Sequence, residues 1–228
     1  MRQTALFATR PAASKLVHRN VDLIRTVSGN QTQILQWIQS LYCPHGFDLD
    51  ATYGKGSFWK SLGAPRFATD RIPLAPGVIP AKFEALPFKT GVFRSVVFDP
   101  PFFASTGREH VMKIRYRSTY RDMPELWQSY RAAMVEFSRI LGRSGVLVVK
   151  CQDSVYGRKQ FPVLAHLIVF AETLGMFAQD IFILTTTHVP IAWNHHRQNH
   201  ARKFHSYFIV FKKCRKGVFT FGEVQNDY

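Results

Sequence analysis

Two short apolar runs constrain this chain more than any other feature. Residues 94–99 (RSVVFD) and 146–150 (VLVVK) are built around the apolar, β-branched stretches Val96–Phe98 and Val146–Val149, and both read as buried strands. Between them Asp122 and Glu125 form a capping box. It opens a helix with Leu126, Tyr130, Met134, Phe137 and Leu141 on one face, and Gly142 and Gly145 close it. Strand, helix and strand in succession imply a parallel pair with the helix crossing over one face, the unit of an α/β layered fold.

The rest of the pattern extends that unit. Asn30 is a candidate cap for a helix carrying Ile34, Leu35, Ile38, Leu41 and Tyr42. A strand over 46–51 runs into a glycine turn at 53–56, and a second strand over 66–70 ends in Asp70. Residues 71–90 hold Pro73, Pro76, Pro80 and Pro87 and read as loop, with one short strand near Ala81. A helix over 162–174 stops at Gly175, and strands over 177–187 and 206–212 are joined by a His- and Arg-rich loop. No internal repeat or low-complexity linker interrupts the chain. The expectation is an open, mostly parallel sheet in one domain over residues 30–228, preceded by a basic arm over 1–29.

Composition narrows the partners. With 46% hydrophobic and 20% charged residues among 228, wholesale disorder is excluded. Thirty Lys and Arg against fifteen Asp and Glu leave a formal charge of +15, more than an enzyme of small anionic metabolites needs and well suited to a polyanion. Cys43, Cys151 and Cys214 are widely spaced and contain no C-x-x-C, so neither a disulfide framework nor a structural zinc is expected. A reducing, cytoplasmic setting fits them. No membrane is expected, since no apolar run reaches the roughly 18 residues a span needs. Arg2, Arg10, Lys15 and Arg19 precede the first acid, Asp22; a basic arm lying on the domain or its partner is expected, with organelle targeting as the alternative.

Two motifs point to chemistry. Asp50, Ala51, Thr52, Tyr53, Gly54, Lys55 and Gly56 follow a strand, where glycines let the chain turn tightly and a nucleotide-like cofactor approach the backbone; a plain turn is the other reading. Asp70, twenty residues beyond Asp50, suits a carboxylate that accepts from ribose hydroxyls, or else a solvated strand-end acid. The second motif is Asp99, Pro100, Pro101 and Phe102 directly after a strand. Its prolines stiffen the loop, so the Asp99 carboxylate and Pro100 carbonyl could accept the two N–H bonds of an exocyclic amino group while Phe102 stacks on the ring. A Pro-Pro stop followed by a core Phe is the alternative.

On these residues the chain resembles the S-adenosylmethionine-dependent amino-group methyltransferases, which include the adenine-N6 DNA methyltransferases. Asp99-Pro100-Pro101-Phe102 matches their D/N/S-P-P-Y/F/W tetrad, Asp50 to Gly56 looks like their cofactor motif, and Asp70 looks like their ribose acid. Residues 86–99 are similar to the family's run into the tetrad and 140–150 to its following helix and fifth strand, while the ending 200–207 (HARKFHSY) looks like small phage and prophage members. Over about residues 30–213 the resemblance implies a Rossmann-like methyltransferase fold, a seven-stranded, mostly parallel sheet with an antiparallel last strand. It also implies S-adenosyl-L-methionine as cofactor and a base amino group, adenine N6 in DNA first, as methyl acceptor. The chain departs from the pattern at Lys82, where the family often carries an acid, and it lacks a separate target-recognition domain. Phenylalanine in the tetrad also occurs among ribosomal RNA guanine methyltransferases, so RNA modification at adenine N6 or guanine N2 is an alternative. A nucleic-acid-binding relative without catalysis is another.

Two basic segments supply the nucleic-acid contacts. Arg108, His110, Lys113, Arg115, Arg117 and Arg121 interleave with Tyr116 and Tyr120, and His195, His196, Arg197, His200, Arg202, Lys203 and His205 form the other. Any one of these is equally a solvated surface charge. Both segments leave the carboxyl ends of strands, so both should flank Asp99. His196 and His200 lie four apart but have no nearby carboxylate or thiolate in the loop, so no metal is expected. Lys150 and Asp153 either line the site or form a strand-end salt bridge.

Overall fold

The computed structural model describes residues 23–102, 120–187 and 199–214. Its elements in chain order are β1 (Val27–Ser28), α1 (Gln31–Tyr42), β2 (Leu49–Asp50), β3 (Phe67–Asp70), β4 (Ile79–Pro80), β5 (Phe93–Phe98), α2 (Met123–Ile140), β6 (Leu141–Cys151), β7 (Ser154–Tyr156), β8 (Lys159–Phe161), α3 (Val163–Thr173), β9 (Met176–Thr185) and β10 (His205–Lys213). Eight strands form one sheet in the order β4-β3-β2-β5-β6-β10-β9-β1. β10 runs antiparallel to both its neighbours, and the other pairings in this sheet are parallel. The expected Rossmann-like methyltransferase arrangement is therefore present, with one strand more than the seven expected. The extra strand is β1, which pairs Val27 with Ile183 and Ser28 with Leu184 along the outer edge of β9, where unpaired backbone groups would otherwise face outward.

Alternation along the central strands builds two cores. Leu147, Val149 and Cys151 of β6 face the side covered by α2 and α3, whereas Val146 and Val148 face α1. Ile34, Leu35 and Ile38 of α1 close one layer; Leu126, Met134 and Phe137 of α2, with Leu167 of α3, close the other. The caps form largely as the sequence predicts. Asn30 accepts from the Gln33 N–H, and Asp122 accepts from the Glu125 N–H. The Glu125 carboxylate reaches one residue further back than a capping box requires, to the Arg121 N–H at 2.7 Å.

Several boundaries move. Leu141, expected on the helix, begins β6 and pairs with Phe93, so Gly142 and Gly145 lie within a strand rather than ending a helix. The register jumps there from Phe93–Leu141 to Ser95–Val146. A side chain on Gly145 would come within 2.8 Å of Leu141, which is why the irregularity needs glycine. The strand expected over 46–51 shortens to Leu49–Asp50, and the one near Ala81 sits at Ile79–Pro80.

The β7–β8 hairpin has no counterpart in the sequence reading. Gly157 and Arg158 join its strands with φ of 57° and 60°, the all-positive geometry of a tight right-twisting hairpin. Among the described residues Arg158 is the one non-glycine residue with positive φ, a conformation that costs an ordinary L-residue about 1–2 kcal/mol. Among the described residues no helix is long and apolar enough to cross a membrane.

Candidate active site

Parallel strands end together at one edge of the sheet, and the predicted chemical residues gather there. Asp50 ends β2, Asp70 ends β3, Asp99 follows β5 and Lys150 lies near the end of β6. Thr52 joins the first motif to the second: its N–H donates to the Asp50 carboxylate at 2.8 Å, and its hydroxyl oxygen accepts from the Asp99 N–H at 2.7 Å. The Ala51 N–H donates to the Val97 carbonyl, and the Tyr53 N–H to the Thr69 carbonyl. The turn is thus sewn to strands on both sides of it.

The turn itself is built around two glycines. Gly54 has φ of 55° and its N–H donates to Asp70 Oδ2 at 2.8 Å, while Asp70 Oδ1 accepts from the Ile72 N–H at 2.9 Å. Gly56 has φ of 71° and packs so closely on the Tyr53 ring that a side chain there would lie 2.7 Å from the Tyr53 hydroxyl. By contrast, a side chain built on Gly54 would meet nothing within 4 Å. Open space over a positive-φ glycine at a strand end is what a cofactor cradle requires. Asp70 fits too, since a carboxylate has about four acceptor positions and two backbone donors leave capacity for hydroxyl groups.

Asp50 is 3% exposed, and its hydrogen-bond donors among the described residues are neutral. Its second oxygen accepts from Trp59 Nε1 at 2.7 Å. Burial pushes its carboxyl up to about 7; the Thr52 and Trp59 hydrogen bonds oppose that, and neighbouring Asp99 adds to it. Trp59 itself is buried, and nothing in the sequence singled it out.

The proline tetrad is held from below. Tyr130 of α2 is buried, and its hydroxyl donates to the Pro101 carbonyl at 2.7 Å. Burial raises that hydroxyl well above its usual range, so it stays a donor. The sequence placed Tyr130 among core residues by helical spacing; its polar tip is what needed a partner. Because Tyr130 takes the Pro101 carbonyl, it fixes the loop without using the Pro100 carbonyl.

Lys150 lines this site rather than pairing with Asp153. Its ammonium lies 3.7 Å from Asp99 Oδ1 and donates to Gln31 Oε1 at 2.8 Å. The same nitrogen sits 5.0, 5.7 and 5.6 Å from the ring centres of Phe58, Phe102 and Phe208. Burial raises the Asp99 carboxyl, and Lys150 works against the rise. Asp153 instead accepts from the Leu164 N–H at the start of α3. Cys151, next along β6, is buried and its thiol is pushed far up, which makes it a poor nucleophile.

The basic segments are only partly described. Arg108, Lys113, Arg115, Arg117, His195, His196 and Arg197 lie outside the described residues. Arg121 pairs with Glu125 at 3.2 Å on the surface. His200 is exposed, Arg202 is half-buried and Lys203 donates to Gln160 Oε1 at 2.9 Å. Lys82, which stands where the resembled family often has an acid, is exposed beside a one-residue bridge to Ala85; nearby Glu84 accepts from the Ser129 hydroxyl.

No protein-family model and no curated protein matches this chain. Solved structures share part of its fold. A candidate DNA modification methylase from Thermus thermophilus, complexed with S-adenosyl-L-methionine, is 19% identical over 61% of this chain and 55% of that one, with a TM-score of 0.40. The M1.HpyAVI complex with the same cofactor is 12% identical over 55% of this chain and 45% of that one, at 0.33. A Burkholderia thailandensis 1,6-didemethyltoxoflavin-N1-methyltransferase is 10% identical over 82% and 80%, at 0.46. The chain spans about half the length of the Thermus protein. Similarity of that degree assigns no activity, and the site's own geometry carries the functional argument.

Proposed function

We propose that this chain is an S-adenosyl-L-methionine-dependent methyltransferase acting on the exocyclic amino group of a nucleic-acid base, with adenine N6 in DNA as the leading acceptor. The observation that carries the reading is the direct link, through Thr52, between the open glycine turn and the braced Asp99–Phe102 loop at one sheet edge. Residues 53–56 and Asp70 are the parts that would hold the cofactor. When bound, S-adenosyl-L-methionine supplies an electrophilic methyl group on sulfur.

The chain's own residues do the rest. Asp99 accepts from the amino group; burial raises its carboxyl, and the Lys150 ammonium 3.7 Å away opposes that rise. Phe102 offers its ring to the face of a base taken out of the stack, and Tyr130 fixes the loop that carries both groups. Catalysis on this reading is positioning and polarisation without a covalent enzyme intermediate. The excess of basic residues supports a polyanionic substrate.

Incubating the protein with tritiated cofactor and parallel DNA and RNA pools tests the reading. Label should enter DNA, and Asp99→Ala should lower transfer by about 100-fold or more while calorimetry shows nearly unchanged cofactor binding. Wild-type turnover by that variant would sink the mechanism. Label in RNA alone selects the alternative acceptor, adenine N6 or guanine N2 of a structured RNA. Failure of the wild type to bind the cofactor would mark a binding protein without catalysis.

A further inference from the structure

The β7–β8 hairpin leaves the sheet only a few residues beyond Lys150, at the edge where Asp99 lies. Three-residue strands joined by a two-residue turn gain little stability by themselves. Glycine or asparagine is the residue that suits the second turn position, yet arginine occupies it with φ of 60°. An unfavourable backbone conformation at the tip of an exposed hairpin is a reason to look for function there. The surrounding chemistry indicates what kind. Arg158 and Lys159 are exposed, Tyr156 pairs across the hairpin with Lys159 and is 40% exposed, and no acid occurs between Asp153 and Glu172.

The hairpin is also tied to the second basic segment. Lys203 donates to Gln160 Oε1 on β8, and Gln152 Nε2 at the hairpin's base donates to the His205 carbonyl at 2.6 Å. The partner of Lys203 in that bond is a neutral amide, so the bond brings no carboxylate to the hairpin. Through these bonds the hairpin that carries Tyr156, Arg158 and Lys159 is joined to Lys203 and to the start of β10.

We infer that hairpin 154–161 clamps the phosphate backbone of the strand bearing the target base, with Arg158 at its tip on a phosphate and Tyr156 against an adjoining base or sugar. The clamp rests on the nucleic-acid reading of the site proposed above. Arg158→Asn provides a clean test, because asparagine tolerates the left-handed turn and removes only the cation. The expected melting temperature is equal to or above that of the wild type. Fluorescence anisotropy with labelled duplex DNA, single-stranded DNA and RNA, titrated across salt concentrations, reads the clamp directly. Arg158→Asn should weaken binding roughly 3–10-fold at low salt and flatten the slope of log affinity against log salt by about 0.9 for a duplex or about 0.7 for a single strand. Arg158→Lys should restore most of that slope. Unchanged affinity and slope in Arg158→Asn, with the wild type binding normally, would overturn the clamp and leave the functional reading intact. Absence of nucleic-acid binding by the wild type would overturn both.

Discussion

Asp48 and Asp50 stand two residues apart at β2 and are 5% and 3% exposed, yet their carboxyls are driven in opposite directions. Burial alone would raise both. At Asp48 that effect is outweighed by Arg94, which donates from its backbone N–H, Nε and Nη2 at 2.8, 3.1 and 2.7 Å and holds the acid below its usual range. At Asp50 the donors are the Thr52 amide and hydroxyl and the Trp59 indole, all neutral, and the carboxyl rises to about 7. Exposure values do not distinguish the two acids; their partners do. The lower acid closes an ion pair that holds strands together. The upper acid sits beside Asp99, and the nearby cation, Lys150, is committed to Asp99 instead. On the proposed function, leaving one buried acid on neutral donors and giving the next a lysine serves chemistry more than stability.

Asp50→Asn should give the largest separation between the two acids. Its folded carboxyl titrates near 7 against about 4 when unfolded, so the folded state holds the extra proton in that interval and wild-type stability falls as pH rises from about 4 to about 7. Asparagine keeps the acceptor for Trp59 and abolishes the titration. In urea titrations the variant should match the wild type near pH 4 and exceed it near pH 8 by on the order of 2–4 kcal/mol. A difference that does not change with pH would break the comparison.

Asp48→Ala should act in the other sense. It leaves the Arg94 N–H and guanidinium without their acceptor and should lower the melting temperature by roughly 5 °C at neutral pH. Because the folded carboxyl is depressed, the stability it contributes is present above the unfolded value near 4 and is lost as pH falls through the folded value. The gap from wild type should therefore close in acid. A gap that widens in acid would refute the assigned role.

Tyr130→Phe is the smallest change and sharpens the distinction at the upper edge. It removes the donor to the Pro101 carbonyl, at a cost of about 1 kcal/mol in stability. If the tyrosine braces the Asp99 loop, kcat should fall several-fold while the cofactor dissociation constant stays constant. A fall in stability with no change in kcat would leave Tyr130 a core residue only.

Much of the fold was legible because periodicity and capping are local. Val96 and Phe98 face one core and Val97 the other, within the apolar run that reads as a buried strand, and Asn30 and Asp122 cap the helices they precede. The misreadings were also local in origin. Gly142 and Gly145 looked like a helix stop because glycine ends helices often, but here they allow an irregular strand entry, a distinction that depends on Phe93 pairing with Leu141. The hairpin lacks a clear turn signal in the sequence, because Arg158 stands where Gly or Asn would mark the second turn position.

By itself the sequence determined which strand ends carry acids, where the glycines fall and that Pro-Pro stops β5. Short-range steric and hydrogen-bonding rules suffice for each of these. Tertiary structure alone decided how those acids are paired. Trp59 reaches Asp50, Tyr130 reaches across from α2 to Pro101, and Lys150 chooses Asp99 over Asp153. Such pairings join residues 9 to 51 positions apart, and their strength depends on burial that exists only once the sheet and its two helical layers have closed.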